Sequence, residues 1–168
     1  RSTNMRLAVL SLLHLGAAAT TTIELVDFDR LSAFVELNDP VMGGQSHSTV
    51  SVSDGTLKFI GTCAIVPSLG APGFITAQTG RGYGPGSLGN ETFVDVSSCK
   101  GLTIVAKDYT NGYKGYRVSF GNGHAPGGFH AYGFKANLQP TVGSFGAVSI
   151  PFSNFTDNWN GATGKPVH

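Results

Sequence analysis

An all-β fold, an antiparallel β-sandwich or jelly roll, is what the sequence predicts, and three observations predict it. Apolar and polar residues alternate with period two in several short stretches, the signature of strands with one buried face. Two dipeptides, Asp54-Gly55 and Asn111-Gly112, are strong signals for two-residue hairpin turns. Glycine is in excess at 24 residues, and with 8 prolines it interrupts the chain at the short intervals of strands joined by tight turns. At 168 residues the chain suffices for one domain with one substantial core and is too short for two.

The elements follow in order. Residues 1–22 read as a signal-like or targeting leader: Met5-Arg6, the apolar run Leu7 to Leu15, then Gly16-Ala17-Ala18-Ala19 and three threonines. The run is too short to span a bilayer, which needs about 20 apolar residues. An ordinary amphipathic or buried N-terminal helix is the other reading of the same residues. The single β-sandwich domain is set at 23–168. Ile23 to Phe28 is a short apolar stretch suited to a first edge strand. Asp29 to Leu37 has the spacing for one or two helical turns, with Leu31, Phe34 and Val35 on a shared side, until Asn38-Asp39-Pro40 ends them.

From there the period becomes two. Val50 and Val52 point inward before the Asp54-Gly55 turn, and the return strand sets Leu57, Phe59, Gly61, Cys63 and Ile65 on one face. Pro67 to Gly73 reads as a loop, Phe74 to Gln78 as a strand and Gly80 to Asn90 as a long glycine-rich loop. Leu102, Ile104 and Ala106 then alternate with Thr103, Val105 and Lys107, and past Asn111-Gly112 come Tyr116, Val118 and Phe120. Phe129 to Ala136 and Ala147 to Phe152 close the set at about eight strands, a count in the range of sandwiches and jelly rolls.

Composition excludes some functions and leaves others open. Net charge is +1, charged residues are 12% of the chain and no Lys/Arg cluster appears, so binding nucleic acid through its phosphates is excluded as a partner class. The ten acidic residues are scattered, and the five histidines (His14, His47, His124, His130, His168) lack metal-ligand spacing. No catalytic constellation, cofactor motif or metal motif emerges. The glycine-rich segments 80–89 and 121–128 do not lead into a helix whose amides could hold an anion. Cys63 and Cys99 suit an oxidising compartment and leave a disulfide between them open. Asn90-Glu91-Thr92 and Asn154-Phe155-Thr156 are glycosylation acceptors only on a route through the endoplasmic reticulum.

The most distinctive segment is Asn38-Asp39-Pro40-Val41-Met42-Gly43-Gly44-Gln45-Ser46. Physically it reads as a structural corner: Asp39 accepts backbone hydrogen bonds, Gly43-Gly44 permits positive φ, and Met42 plugs the base of the sandwich. The segment resembles the hallmark of the complex I intermediate-associated protein 30 family, N-D-x-V-M-G-G-x-S. Gly55 with Phe59-Ile60-Gly61, Gly73-Phe74-Ile75, Gly101-Leu102, Tyr116 and Ile150-Pro151-Phe152-Ser153-Asn154-Phe155 agree in order. The likeness covers roughly residues 25–160.

The resemblance implies a galactose-binding-like jelly roll without enzymatic activity, acting as an assembly or stabilising factor that docks on a membrane electron-transport or photosynthetic complex. It marks Asn38, Asp39, Met42, Gly43, Gly44 and Ser46 as the structural hallmark. Two departures from the family pattern stand out. The family's domain runs on past the I-P-F segment, so this one reads as C-terminally incomplete, with an unpaired sheet edge as a docking strip. The leader favours an organelle lumen, the thylakoid lumen first, or a secretory route, with the mitochondrion as the alternative. A secreted lectin-like module is the second functional reading, its glycan stacking on Tyr83, Tyr109, Tyr113, Tyr132 or Trp159.

Overall fold

The computed structural model describes residues 2–13, 22–26, 28, 34–68, 70–78, 95–110, 112–120 and 134–158. Thirteen strands run through them: β1 (Ser2–Leu13), β2 (Thr22–Val26), β3 (Val35–Asn38), β4 (His47–Ser53), β5 (Thr56–Thr62), β6 (Ile65–Val66), β7 (Ala71–Pro72), β8 (Ile75–Gln78), β9 (Gly101–Asp108), β10 (Arg117–Phe120), β11 (Phe134–Asn137), β12 (Thr141–Val142) and β13 (Gly146–Pro151). Short 3-10 turns at Asp39–Met42 and Phe152–Asn154 are the helical pieces among the described residues.

The principal sheet has seven strands in the order β12-β9-β1-β5-β4, with β13 also paired to β9 and β2 to β1. All its ladders are antiparallel except the short β12–β9 contact. Three two-stranded antiparallel sheets, β10-β11, β3-β8 and β6-β7, accompany it. The core forms where Leu57 and Phe59 of β5, Leu102, Ile104 and Ala106 of β9 and Ile150 of β13 meet Tyr116, Ala136 and Leu138 from the β10-β11 side. This is an all-β sandwich. Alternation explains the burial: β4 shows regular exposed and half-buried positions, and β5 buries every second residue.

The β4–β5 hairpin turns as expected. Asp54 and Gly55 have φ of 51° and 64°, the left-handed pair that a type I′ turn demands. Leu57, Phe59, Leu102 and Ile104 are buried, Val50, Val52 and Val118 pack against the core from its margin, and the side chain of Phe120 lies outside the description.

Within the segment read as a leader, β1 lies between β5 and β9 in the main sheet. An uncharged apolar run of this length has the composition of both a leader and a fully buried strand, and periodicity does not separate them. Of the helical turns expected over Asp29–Leu37, residues 29–33 lie outside the described residues, and Val35–Leu37 belong instead to β3, which pairs with β8 from Val35↔Gln78 to Asn38↔Ile75, a long-range partner that local spacing does not reveal. Ile65 does not share the inward face of Leu57 and Phe59. The ladder of β5 ends at Thr62, the face changes, and Ile65 is 66% exposed while Val66 is buried. The loop expected at Pro67–Gly73 contains β7, paired with β6. The glycine-rich stretch 80–90 and the start of the strand expected at Phe129 lie outside the described residues.

Candidate functional site

The segment Asn38–Ser46 folds around one carboxylate. Asn38 closes β3 in an extended conformation, Pro40 enters the 3-10 turn, where its missing N–H costs nothing, and Gly43 ends it at φ 80°. The turn carries Asp39 into the interior, where it is 1% exposed. Its Oδ1 accepts the Ser46 amide at 2.8 Å and its Oδ2 accepts the Ser46 hydroxyl at 2.7 Å. Ser46 Oγ in turn accepts the Ala64 amide at 2.9 Å. The Asp39 amide donates to the Phe74 carbonyl, and the Gly73 amide donates to the Ala64 carbonyl. Three separate segments, 39–46, 63–64 and 73–74, are thus joined through the Asp39 carboxylate, the Ser46 hydroxyl and backbone bonds.

The glycines show how tight the corner is. A Cβ on Gly44 would lie 2.5 Å from both Asp39 carboxylate oxygens, and one on Gly73 would overlap Asp39 and sit 2.5 Å from Ser46 Oγ. Gly43 is needed for its positive φ, and Gly44 and Gly73 for the space they leave. The Asn38 side-chain amide lies 2.9 Å from the Ser48 hydroxyl, tying the corner to β4. The side chain of Met42 lies outside the described residues.

A second buried acid was not singled out by the sequence reading. Asp108 ends β9, is 1% exposed, and organises the loop after it. Oδ1 accepts from the Thr110 amide at 2.7 Å, the Thr110 hydroxyl at 2.6 Å and the Tyr116 hydroxyl at 2.8 Å, while Oδ2 accepts from the Gly112 amide at 3.0 Å. Burial disfavours the charge, but the bonds from Thr110, Tyr116 and Gly112 outweigh it and hold the carboxyl below its ordinary range. Burial, followed by the adjoining Asp108, pushes the Tyr116 phenol well up, so it stays a donor. The spacing Asp108-x-Thr110-x-Gly112, an Asx-turn pattern, is the signal that could have found it.

The remaining candidates are dispersed. Cys63 and Cys99 are separate thiols with no disulfide joining them. Cys63 donates to the Gly73 carbonyl at 2.8 Å, and burial raises its thiol pKa, whereas Cys99 is buried in the core ahead of β9. Asn154 is exposed on the second 3-10 turn, and Asn90 lies outside the described residues. Of the aromatics considered for stacking, Tyr109 is exposed with Lys107 Nζ 4.3 Å above its ring, and Tyr113 meets Tyr116 edge-on at 4.9 Å. Tyr83, Tyr132 and Trp159 lie outside the described residues. An open groove of about 320 Å³ runs beside β4, lined by Phe28, Phe34, Val50, Val52 and Asp54. Among the described residues no group of three His, Cys, Asp or Glu side chains could hold a metal ion, no buried side-chain polar atom lacks a partner, and no helix is long and apolar enough to cross a membrane.

The acids that are buried here bind the chain's own amides and hydroxyls, and the class these features define is an all-β sandwich braced by internal carboxylates. Comparison with known proteins places it further. The complex I intermediate-associated protein 30 family matches residues 23–167, and the chain belongs to that family, which is associated with complex I assembly. Comparisons with curated proteins and with solved structures return no match.

Proposed function

We propose that the chain is a non-catalytic assembly or scaffolding factor that docks by protein–protein contact on a membrane-bound respiratory complex. Membership of the family over residues 23–167 is the observation that carries this reading. The chemistry of the interior supports it: Asp39 and Asp108, the two buried acids among the described residues, are engaged by amides and hydroxyls. The association of the family with complex I favours the mitochondrion, with residues 1–22 as a removable targeting segment, over the thylakoid lumen or the secretory route. A photosynthetic complex is the less supported partner. The hallmark residues Asn38, Asp39, Met42, Gly43, Gly44 and Ser46 then serve folding, not contact.

The test is co-migration of the tagged full chain with assembly intermediates of complex I on native gels. A specific partner should bury on the order of 1,200 Å² or more with it. Migration of the chain alone, together with micromolar binding on a glycan array, would overturn the proposal in favour of a lectin-like module.

A further inference from the structure

The two outer strands of the main sheet are treated differently. On β4, Glu36 Oε1 accepts the Val50 amide at 2.7 Å and the Asn38 side chain meets the Ser48 hydroxyl at 2.9 Å. Side chains of β3 thus stand where a further strand would pair. β13 lies on the other side of the sheet, paired with β9, and among the described residues no strand lies beyond it.

The ladder tells which backbone groups of β13 face outward. The Phe152 amide donates to the Lys100 carbonyl at 2.9 Å, one pair beyond Pro151↔Gly101. Antiparallel ladders alternate bonded and non-bonded pairs, so Ile150↔Leu102, Val148↔Ile104 and Gly146↔Ala106 are the bonded ones. Two observations agree. Pro151, which has no N–H, occupies a position that owes none to β9, and Thr103 Oγ1 lies 2.9 Å from Ser149 Oγ, as the closer spacing of a non-bonded pair allows. The amides and carbonyls of Ala147 and Ser149 therefore point away from β9, and so does the Pro151 carbonyl. Ala147 and Ser149 are exposed, and among the described residues nothing bonds to their amides.

Sheet edges are ordinarily guarded by charge, yet residues 141–151 contain no charged side chain. Such a strand offers no address to an acidic or a basic partner, but it pairs with a copy of itself without opposing like charges. We propose that β13 is the interface of a two-fold dimer, in which a second copy of this chain adds its own β13 antiparallel to the first. Around a two-fold axis one patch serves both copies. Placing Val148 on the axis sets Ala147 opposite Ser149 of the second copy, and both residues exchange their outward amides and carbonyls in full pairs. Val148, half-buried, meets its own counterpart at the close spacing of a non-bonded pair. Phe145, 44% exposed at the head of the strand, comes opposite Pro151 of the second copy. The two main sheets become one continuous sheet. This contact goes beyond docking on a respiratory complex and does not depend on it.

The experiment takes the full chain through sedimentation velocity over a range of concentration, with amide exchange followed residue by residue by NMR. A reversible dimer is expected, whose Ala147 and Ser149 amides exchange slowly when concentrated and fast when diluted, while those of Val148 and Ile150 stay slow throughout. Ala147→Pro removes an outward donor and leaves the β9 ladder, so it should give a monomer with its far-ultraviolet circular dichroism intact. Charge tests the register. In A147K/S149K cations oppose one another twice across the axis, whereas in A147K/S149E each lysine faces a glutamate. Both variants lose the Thr103–Ser149 bond alike, and the second should dimerise about tenfold more tightly than the first. A chain monomeric at every concentration would overturn the proposal, as would a dimer whose Ala147 and Ser149 amides exchange freely, or equal association of the two charge variants. Protection of those amides only after a complex I intermediate is added would also overturn it, and would give the edge to that partner.

Discussion

Asp39, just past the end of β3, and Asp108, the last residue of β9, solve the same problem in two places: each turns its carboxylate on loop amides that have no ladder partner. Removing either acid strands those donors in the interior. Asp39→Ala is expected to lower the unfolding free energy by about 1–3 kcal/mol, read from urea melts, because the Ser46 amide and hydroxyl lose their acceptor. An unchanged melt with lost partner binding would make the corner a contact site. Asp108 gives a pH signature. Its folded carboxyl titrates below the ordinary range, so its contribution is complete above the unfolded value of about 3.9 and is lost as pH falls through the lower folded value. The stability gap between the native chain and Asp108→Asn should therefore close on acidification below about pH 4, and a gap constant with pH would contradict the assignment. The first acid was legible because Pro40 and Gly43-Gly44 frame it. The second was not, because Asn111-Gly112 already accounted for a turn there and drew notice from the acid three residues earlier.

At the level of elements, what local chemistry dictates was legible and what long-range pairing dictates was not. The β4–β5 hairpin needs only alternation and a dipeptide able to hold positive φ at both positions. Gly55→Ala should cost about 1–2 kcal/mol, since a Cβ there enters the left-handed region, and chemical denaturation measures it. A neutral result would mean that the turn relaxes to another type. β3 was misread because Leu31, Phe34 and Val35 satisfy a helical spacing, while its strand character comes from β8, 43 residues away at Val35↔Gln78 and 37 at Asn38↔Ile75. That same strand also shields β4: Glu36 Oε1 accepts the Val50 amide at 2.7 Å, capping one backbone donor on the free side of the sheet. An outer strand so blocked is a poor template for a foreign one.

For the molecule as a whole, β9 is the hub. It pairs with β1 on one side and with β13 and β12 on the other, and Thr103 meets Ser149 across the β13 ladder at 2.9 Å. One all-β domain was legible from composition and turns, but the order of its strands was not, since nothing in Leu7 to Leu13 says which strands it will separate. Ile104 marks the centre: fully buried, with Leu10 and Val148 in register on its two sides. Ile104→Ala should cost about 2–5 kcal/mol through lost burial and the cavity left behind. Against a total of about 5–15 kcal/mol, that is enough to depopulate the folded chain near physiological temperature. Because the core joins both layers, the loss should appear as one lowered transition, coincident in far- and near-ultraviolet circular dichroism. Association with a respiratory complex should then fail along the same melting curve and recover on cooling. A variant that kept its melting temperature yet lost association would instead place Ile104 in the contact, which its burial excludes.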